Sequence, residues 1–368
     1  MNAVLFRGVR HTRRSFLDRL ATPILEAATF GEAIERTQTV VSRLGRLGIC
    51  AGVAGELDRA RGPLAKEKGI DALLTIRERN RLTIMTGTQI GDEEGSVNGS
   101  VTFRNAFGGA ECFEANASMG TRTPSAFQAS FTTPLASNPD HMASVHAYQT
   151  LRSKMMQASH NEMTRGATLR YEASGHCAVH WRRLGQHGIY YDIAWRNIYQ
   201  LTDKASLAIR NDAGHTLRSA LGHVLIRDRR NSSELPTDGY LLRVQNEVAG
   251  PGGDVHYAKC EVEGQWLQSL GRGFHASLTT RGGFIAPLAG DRLRVNDRFT
   301  LGGPVSLRGF KTFGMGPRED DDMVGGNIYY ALGLSLFTPL PKVDSDRFKG
   351  HLFVNAGTLR LVEPGNGR

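Results

Sequence analysis

From Arg81 to the end of the chain, segments of about ten residues alternate apolar with small or polar side chains, separated by turns rich in Gly, Asp, Asn or Pro. Leu82-Thr83-Ile84-Met85-Thr86-Gly87, Val97-Asn98-Gly99-Ser100-Val101-Thr102-Phe103 and Phe113-Glu114-Ala115-Asn116-Ala117-Ser118-Met119 carry the pattern. A period of two gives each face of a strand its own chemistry, which confines this region to antiparallel β architecture. The pattern predicts about 13 strands, at 81–91, 95–105, 111–121, 126–134, 141–153, 164–174, 176–184, 215–227, 239–248, 255–268, 274–287, 324–337 and 351–360. Residues 187–211 are harder to place and are expected to add to the seventh and eighth strands.

Alternation alone fits a soluble sandwich as well as a membrane barrel. Length separates the two: predicted strands of roughly 9–14 residues exceed the soluble mode of about 5–6 and match the roughly 9–11 that cross a bilayer at a tilt. No window reaches 18 uninterrupted apolar residues, so no membrane-crossing α-helix is predicted. A spanning barrel stays open, because its strands give a weak signal individually. With 22% charged and 40% hydrophobic residues the chain is expected to fold, and 368 residues suffice for two or three domains.

Residues 12–47 follow a different period. Phe16, Leu17, Leu20, Ile24 and Leu25, then Ala33, Ile34, Thr37, Val40, Val41, Leu44 and Leu47, recur at helical spacing. Two helices are predicted, with Thr12 capping the first, Phe30-Gly31 dividing them and Gly45 or Gly48 ending the second. Ala3 to Val9 before them, and Ile49 to Leu57 and Ile70 to Glu78 after them, are β-prone; a basic stretch from Arg59 to Gly69 joins the last two. The predicted order over residues 1–80 is β-α-α-β-β. Such helices would cover one side of a small three-stranded sheet and leave the other side or an edge free. Taken alone, this segment reads as a generic α+β domain.

The 45 Lys and Arg exceed the 36 Asp and Glu by nine, but they are spread along the chain, and the compact cluster Arg227-Asp228-Arg229-Arg230 contains an acid. The charge therefore singles out no nucleic-acid partner. Cys50, Cys112, Cys177 and Cys260 stand at least 62 residues apart, which indicates neither a zinc ribbon nor a disulfide framework, and reduced thiols are expected. Met1 to Gly8 is followed by Arg10, Arg13 and Arg14, so no secretory signal is read. The Arg-rich opening imitates a mitochondrial presequence, but a first helix is its better use.

Between the strands ending near Leu288 and beginning near Val324 lies a long connection, from Arg298-Phe299-Thr300 through Gly314-Met315-Gly316-Pro317. It is too long for a barrel turn and too rich in Gly and apolar residues for a solvated one. Its Leu307-Arg308-Gly309-Phe310, preceded by Leu301-Gly302-Gly303-Pro304, resembles the sixth-loop RGF/RGY motif of the outer-membrane β-barrel insertases, the bacterial surface antigen superfamily. Phe353-Val354-Asn355-Ala356-Gly357 resembles the inner-strand motif that follows it. Leu336-Phe337-Thr338-Pro339-Leu340-Pro341 resembles a segment of the mitochondrial branch, the central barrel subunits of the sorting and assembly machinery. So do Arg227-Asp228-Arg229-Arg230-Asn231-Ser232 and Asp238-Gly239. The resemblance covers essentially the whole chain, with residues 1–80 corresponding to one polypeptide-transport-associated (POTRA) domain.

The resemblance implies a mainly β fold: a transmembrane antiparallel β-barrel over residues 81–368 behind an N-terminal α+β POTRA domain. It places the protein in the mitochondrial outer membrane, with the POTRA domain facing the intermembrane space. The implied partners are β-barrel precursor proteins, accessory subunits of the sorting and assembly machinery and membrane lipids, with no nucleic acid, cofactor, metal or enzymatic step. The implied task is to insert precursors at a lateral gate, where the first strand, with Leu82, Ile84, Thr86, Thr88 and Ile90, unzips from the last and templates an incoming strand. A strand that entered lipid unpaired would lose the hydration of its backbone groups without compensation, so pairing must come first.

Within that frame Arg308 is implied to be held in the lumen by an inner wall that includes Phe353, Asn355 and Gly357. Gly309 would permit a turn barred to other residues, and Phe310 would pack inside. Asn355 stands where bacterial relatives usually carry Asp, so a hydrogen-bond acceptor replaces a charge. The family has about 16 strands against about 13 read here, so the chain is expected to be C-terminally incomplete, unable to form the seam between first and last strand.

Other signals lead elsewhere. His176 and His180 have the i, i+4 spacing that chelates zinc on a helix, but on a strand they lie about 13 Å apart. Asp320-Asp321-Asp322 lacks the spaced ligands of a calcium loop and reads as a solvated tip. Asn98, Asn116 and Asn231 begin glycosylation acceptors that would stay silent without a signal peptide. No GxSxG, HExxH or Walker loop points to hydrolase or nucleotide chemistry. The leading expectation is thus a barrel insertase. The alternative is a passive protein-translocation or secretion channel on the same fold, and a soluble β-rich binding protein is the third.

Overall fold

Apolar stripes on two helices need a surface to cover, and the N-terminal segment supplies one from three short strands. In a computed structural model, which describes residues 2–60, 69–91, 94–174, 185–288, 290–340 and 348–362, the chain opens with β1 (Ala3–Arg7), α1 (Arg14–Leu25), α2 (Phe30–Arg46), β2 (Cys50–Arg59) and β3 (Ile70–Glu78). The sheet order is β1-β3-β2, with β1 parallel and β2 antiparallel to the central β3. Phe16, Leu17, Leu20 and Ile24 of α1 and Val40 and Leu44 of α2 bury themselves against Ala72, Leu74 and Ile76, alternate residues of β3. Helix α2 comes so close to β2 at Gly55 that a Cβ there would lie 2.8 Å from Thr37 Cγ2. Leu25 and Ile34, assigned to the apolar stripes, are 47% and 39% exposed and lie outside the core.

Thr29 caps α2, its side chain accepting from the Glu32 N–H at 3.3 Å. Thr12 does not cap α1, which starts after Arg13 with no side-chain cap. Its hydroxyl is already committed, donating to Glu78 Oε1 at 2.7 Å and accepting from Asn105 Nδ2 at 2.9 Å.

The rest of the chain forms one sheet of 13 strands: β4 (Leu82–Gly91), β5 (Glu94–Arg104), β6 (Cys112–Gly120), β7 (Ser125–Leu135), β8 (Asn138–Ser153), β9 (Asn161–Ala173), β10 (Gln186–Tyr199), β11 (Gly214–Asp228), β12 (Gly239–Ala249), β13 (Tyr257–Gly271), β14 (Phe274–Pro287), β17 (Ile328–Pro339) and β18 (Lys349–Arg360). Short connectors complete the list: α3 (Met155–Ala158), α4 (Leu207–Asp212) and the two-residue strands β15 (Arg318–Glu319) and β16 (Asp322–Met323). Within the large sheet each strand pairs antiparallel with its sequence neighbour, and β4 and β18 are the two ends. No helix among the described residues is long and apolar enough to cross a membrane.

Every predicted strand but the seventh overlaps an observed one. The seventh, at 176–184, lies outside the described residues together with His176, Cys177 and His180. In its place β10 runs through the stretch that resisted assignment. Its alternation is inverted: Tyr190, Asp192 and Arg196 are buried on the inner face, while Ile189 and Ile193 are exposed outside. Polar inside and apolar outside is the pattern of a sheet that encloses a wet lumen and presents its other face to lipid. Short helices α3 and α4 also escaped the sequence, because four and six residues complete too little of a helical period to register.

The N-terminal module meets one rim of the sheet. Arg13 donates its backbone N–H to Gly108 O at 2.8 Å and its guanidinium to Glu111 at 2.8 Å. Arg46 pairs with the buried Asp140 at 2.5 Å, and the Glu78–Thr12–Asn105 chain of hydrogen bonds crosses the same junction. Burial pushes both carboxyls, Glu78 and Glu111, upward, but donors outweigh it. For Glu78 these are the Thr12 hydroxyl and the backbone N–H groups of His11, Thr12 and Arg10; for Glu111 they are the N–H groups of Gly109 and Phe107 and the Arg13 guanidinium. Both carboxyls therefore titrate below their ordinary value in the folded protein.

A depressed folded pKa stabilises above the unfolded value and ceases to do so as pH falls through the folded one. We predict that amide protection at His11, Thr12, Phe107 and Gly109, read by hydrogen exchange corrected for intrinsic rates, is constant from neutral pH down to about 5 and falls below about 4. Glu111→Ala, which removes the acceptor, is expected to lose the Phe107 and Gly109 protection already at neutral pH.

Candidate functional site

Two carboxylates and one arginine organise the middle of the lumen. Asp192 accepts from Tyr148 Oη at 3.1 Å and Thr168 Oγ1 at 2.6 Å, and Glu247 accepts from Tyr190 Oη at 2.7 Å and Tyr257 Oη at 2.6 Å. Arg218 bridges them, bonded to Asp192 and, at 3.2 Å, to Glu247. Buried charges persist only when paired and hydrogen-bonded, and here each carboxylate is. Tyr190 reaches Glu247 by lying across Gly222, where a Cβ would sit 2.1 Å from its ring. Sequence reasoning missed this network; its signal is a set of ionisable residues at inward positions of otherwise apolar strands.

Above this network the connection between β14 and β17, residues 288–327, folds back into the lumen. Its two legs are joined by paired backbone bonds between Phe299 and Gly326 (2.8 and 3.0 Å) and by a bridge from Met315 N to Leu301 O at 3.1 Å. Phe299, Leu301 and Leu307 bury themselves with Ile285, Ala331 and Leu359 of the wall. Gly302, at φ +116°, has the Lys311 carbonyl 2.6 Å from where a Cβ would be, which explains the Gly-Gly step before the tip. Gly303 also has positive φ, and its carbonyl accepts from Leu307 N at 2.9 Å; Pro304 is exposed.

The structure brings Arg308, Phe353 and Asn355 together. The guanidinium lies 5.1 Å over the Phe353 ring, with Nη1 3.4 Å from His351 Nδ1. His351 itself stacks on Phe337 at 4.5 Å. Asn355 meets the backbone of Arg308 and not its side chain: with the amide oriented from its hydrogen-bond network, Oδ1 accepts from Arg308 N and the NH₂ donates to Val354 O, both at 3.2 Å. Gly357 leaves the space that Leu307 fills; a Cβ there would lie 3.3 Å from Leu307 Cδ1 and 2.9 Å from Tyr330 O. Gly309 adopts φ +87°, as expected of a turn residue. Phe310 does not pack inside. It is 46% exposed, and Leu307, 1% exposed, is the apolar anchor instead, because the turn at Gly309 carries the next side chain away from the wall.

The upper part of the loop is held differently. Arg196 of β10, 5% exposed, makes a two-pronged contact with Asp297, also 5% exposed, at 2.7 and 3.3 Å. Asp212 accepts from Val295 N at 2.8 Å and from Arg292 at 2.5 Å. On the returning leg Asp322 accepts from Ser206 N at 2.7 Å and Glu319 from Ala208 N at 3.0 Å. Arg298 joins the legs, donating to Leu293 O at 2.9 Å and Val324 O at 3.3 Å. Asp322 is 1% exposed, so the Asp320-Asp321-Asp322 run is not simply a solvated tip: its last member turns inward to satisfy a backbone donor.

Magnitudes rank the two attachments. An exposed cation–π contact such as that of Arg308 is worth about 0.5–1 kcal/mol, whereas stripping one partner from a buried pair like Arg196–Asp297 costs about 3–5 kcal/mol. The charged grip on the loop is thus near the rim, whereas at its tip the Arg308 guanidinium adds little to the buried packing of Leu307.

At the other end of the sheet, register puts Leu82, Ile84, Thr86, Thr88 and Ile90 of β4 on one face, the outer face that also carries Val97, Val101 and Phe103 of β5. Ile84 is 64% and Ile90 92% exposed. Strand β4 bonds β5 along one edge, and its other edge has no strand partner among the described residues. No group of three or more metal-ligating side chains occurs among the described residues.

Residues 105–363 match the Omp85 superfamily domain. A SAM50-like protein of Schizosaccharomyces pombe is 33% identical over 377 residues, covering 99% of this chain and 78% of its own. The human sorting and assembly machinery component 50 homolog is 33% identical over 370 residues, covering 99% and 77%. Among solved structures, BamA of Haemophilus ducreyi lacking POTRA domains 1–3 superposes with a TM-score of 0.80 at 18% identity, over 97% of this chain and 71% of that one. Strand order, luminal loop and sequence agree: the chain belongs to the Omp85 superfamily.

Proposed function

We propose that this protein is the central barrel subunit of a sorting and assembly machinery and inserts β-barrel precursors into the mitochondrial outer membrane. The observation that carries the reading is the 33% identity, over 99% of the chain, to sorting and assembly machinery component 50 proteins. Its physical means is the outward-facing end strand β4. A precursor strand in water has its N–H and C=O groups hydrated, and lipid offers them nothing. Hydrogen bonding to the edge of β4 that has no strand partner among the described residues exchanges water for backbone partners before the strand leaves the aqueous phase, and Leu82, Ile84 and Ile90 already present an apolar surface on the side the new strand will share. No covalent bond changes, so the protein acts as a template and not as an enzyme.

The N-terminal module, residues 1–80, acts as the POTRA domain, facing the intermembrane space and contacting precursors as they arrive. Accessory subunits of the machinery and membrane lipids complete its partners. A passive channel is the weaker reading, because the 288–327 loop and the Arg218 network occupy the lumen. Arg308 at the loop tip and Phe353, Asn355 and Gly357 of β18 serve to keep that loop against the wall.

Depleting the protein from mitochondria and following radiolabelled porin on native gels tests this function. We expect porin assembly to fail while early import of a presequence-bearing matrix protein continues; equal loss of both would instead indicate a general import pore. In the same assay Arg308→Ala should slow porin assembly by a few-fold, about what one cation–π contact is worth, with membrane integration unchanged. Unaltered kinetics would remove Arg308 from the mechanism.

A further inference from the structure

The loop that fills the lumen is long, and at its tip Leu307 packs into the wall while the Arg308 guanidinium makes only an exposed contact, so the charges that set the path of its two legs lie nearer the rim. We propose that the Arg196–Asp297 pair, with Asp322 on the backbone N–H of Ser206, is the positioning device that seats the 288–327 loop and thereby sets where Arg308 lies. This inference rests on the insertase reading for its consequence, though not for its geometry.

Three observations support it. Both members of the pair are buried, and the guanidinium meets the carboxylate through two nitrogens, which fixes direction as well as distance. Asp297 directly precedes the segment in which Phe299 and Leu301 enter the core, so the pair determines which way that leg descends. Arg298, next in sequence, ties the descending leg to Val324 of the returning one, and Asp322 secures the returning leg against Ser206. A loop seated through both legs in this way carries its tip to β18 as a unit. Residues 297 and 308 are far enough apart that a leg of that length, left unseated, could place its tip anywhere within roughly 35 Å. Asn355 and Phe353 then receive Arg308 without having to capture it.

The account makes Arg196 and Asp297 positioning residues that touch no precursor. Its test therefore reads loop position as well as assembly. In a variant whose four native cysteines are serine, Leu307→Cys, at the tip position that is 1% exposed, reports the accessibility of the tip to a membrane-impermeant maleimide. Asp297→Asn, which keeps shape and removes charge, should raise the labelling rate by about ten-fold or more and slow porin assembly more than Arg308→Ala does, while the protein remains membrane-integrated. The exchanged pair Arg196→Asp with Asp297→Arg should recover much of both. Unchanged labelling in Asp297→Asn overturns the proposal, as does slowed assembly with no change in labelling. Should Asp297→Asn fail to reach the membrane, Asp322→Ala removes the acceptor of the Ser206 N–H from the same seat and is read by the same two outcomes. If the unaltered protein does not restore porin assembly to depleted mitochondria, the insertase reading fails, and labelling still decides the seat.

Discussion

A backbone in hydrocarbon has no water to bond, so each of its N–H and C=O groups must find a partner in the protein. That requirement dictates the sequential antiparallel sheet, in which every strand from β5 to β17 is bonded on both sides. It also dictates the inverted chemistry of the strands. Apolar side chains such as Ile84, Val101 and Phe127 stand outside, and the ionisable groups turn inward, where they must in turn be paired. Under the proposed function the same requirement gives the end strand β4 its use, since its outer edge has no strand partner among the described residues. An unpaired edge is a hazard for a folded protein and a template for an unfolded one.

The lumen follows from the wall. Asp192, Glu247 and Arg218 form a closed set of charges held by tyrosine hydroxyls, and Arg196 finds its carboxylate in the inserted loop. The loop is therefore part of the electrostatic balance of the barrel interior and not an appendage to it. At its tip, close packing replaces charge: Gly357 admits Leu307, Gly316 lies where a Cβ would come within 2.5 Å of Leu359 Cδ2, and Arg308 rests on an aromatic ring. Where bacterial relatives are expected to place an aspartate, Asn355 holds the main chain, so the tip is oriented by its backbone more than by its guanidinium.

Much of this is legible in the sequence wherever one short window contains the physics. The stripe of Phe16, Leu17, Leu20 and Ile24 shows the helix and its buried face. Alternation in Val97 to Phe103 shows a strand and which face is apolar, and the Gly-Gly step and Arg308-Gly309-Phe310 mark the luminal loop. What was not legible depends on residues far apart. Arg196 and Asp297 lie 101 positions apart and Asp322 lies 116 from Ser206, so no spacing announces either contact. Strand β10 was obscured because Tyr190, Asp192 and Arg196 occupy its buried face, where a soluble protein would place apolar residues. Phe310 misled for a local reason: one residue after a left-handed glycine, a side chain leaves the face that the residues before it occupy.

The central claim is that an incoming strand pairs with the outer edge of β4 and moves sideways into lipid. Single cysteines along β4, at Ile84, Thr86 and Thr88, oxidised in the presence of a precursor arrested during assembly and carrying cysteines in its last strand, test this directly. Cross-links that follow one antiparallel or parallel register along β4 are predicted. Cross-links confined to lumen-facing positions such as Asn98, Asn116 and Gln128, with none on β4, would contradict it.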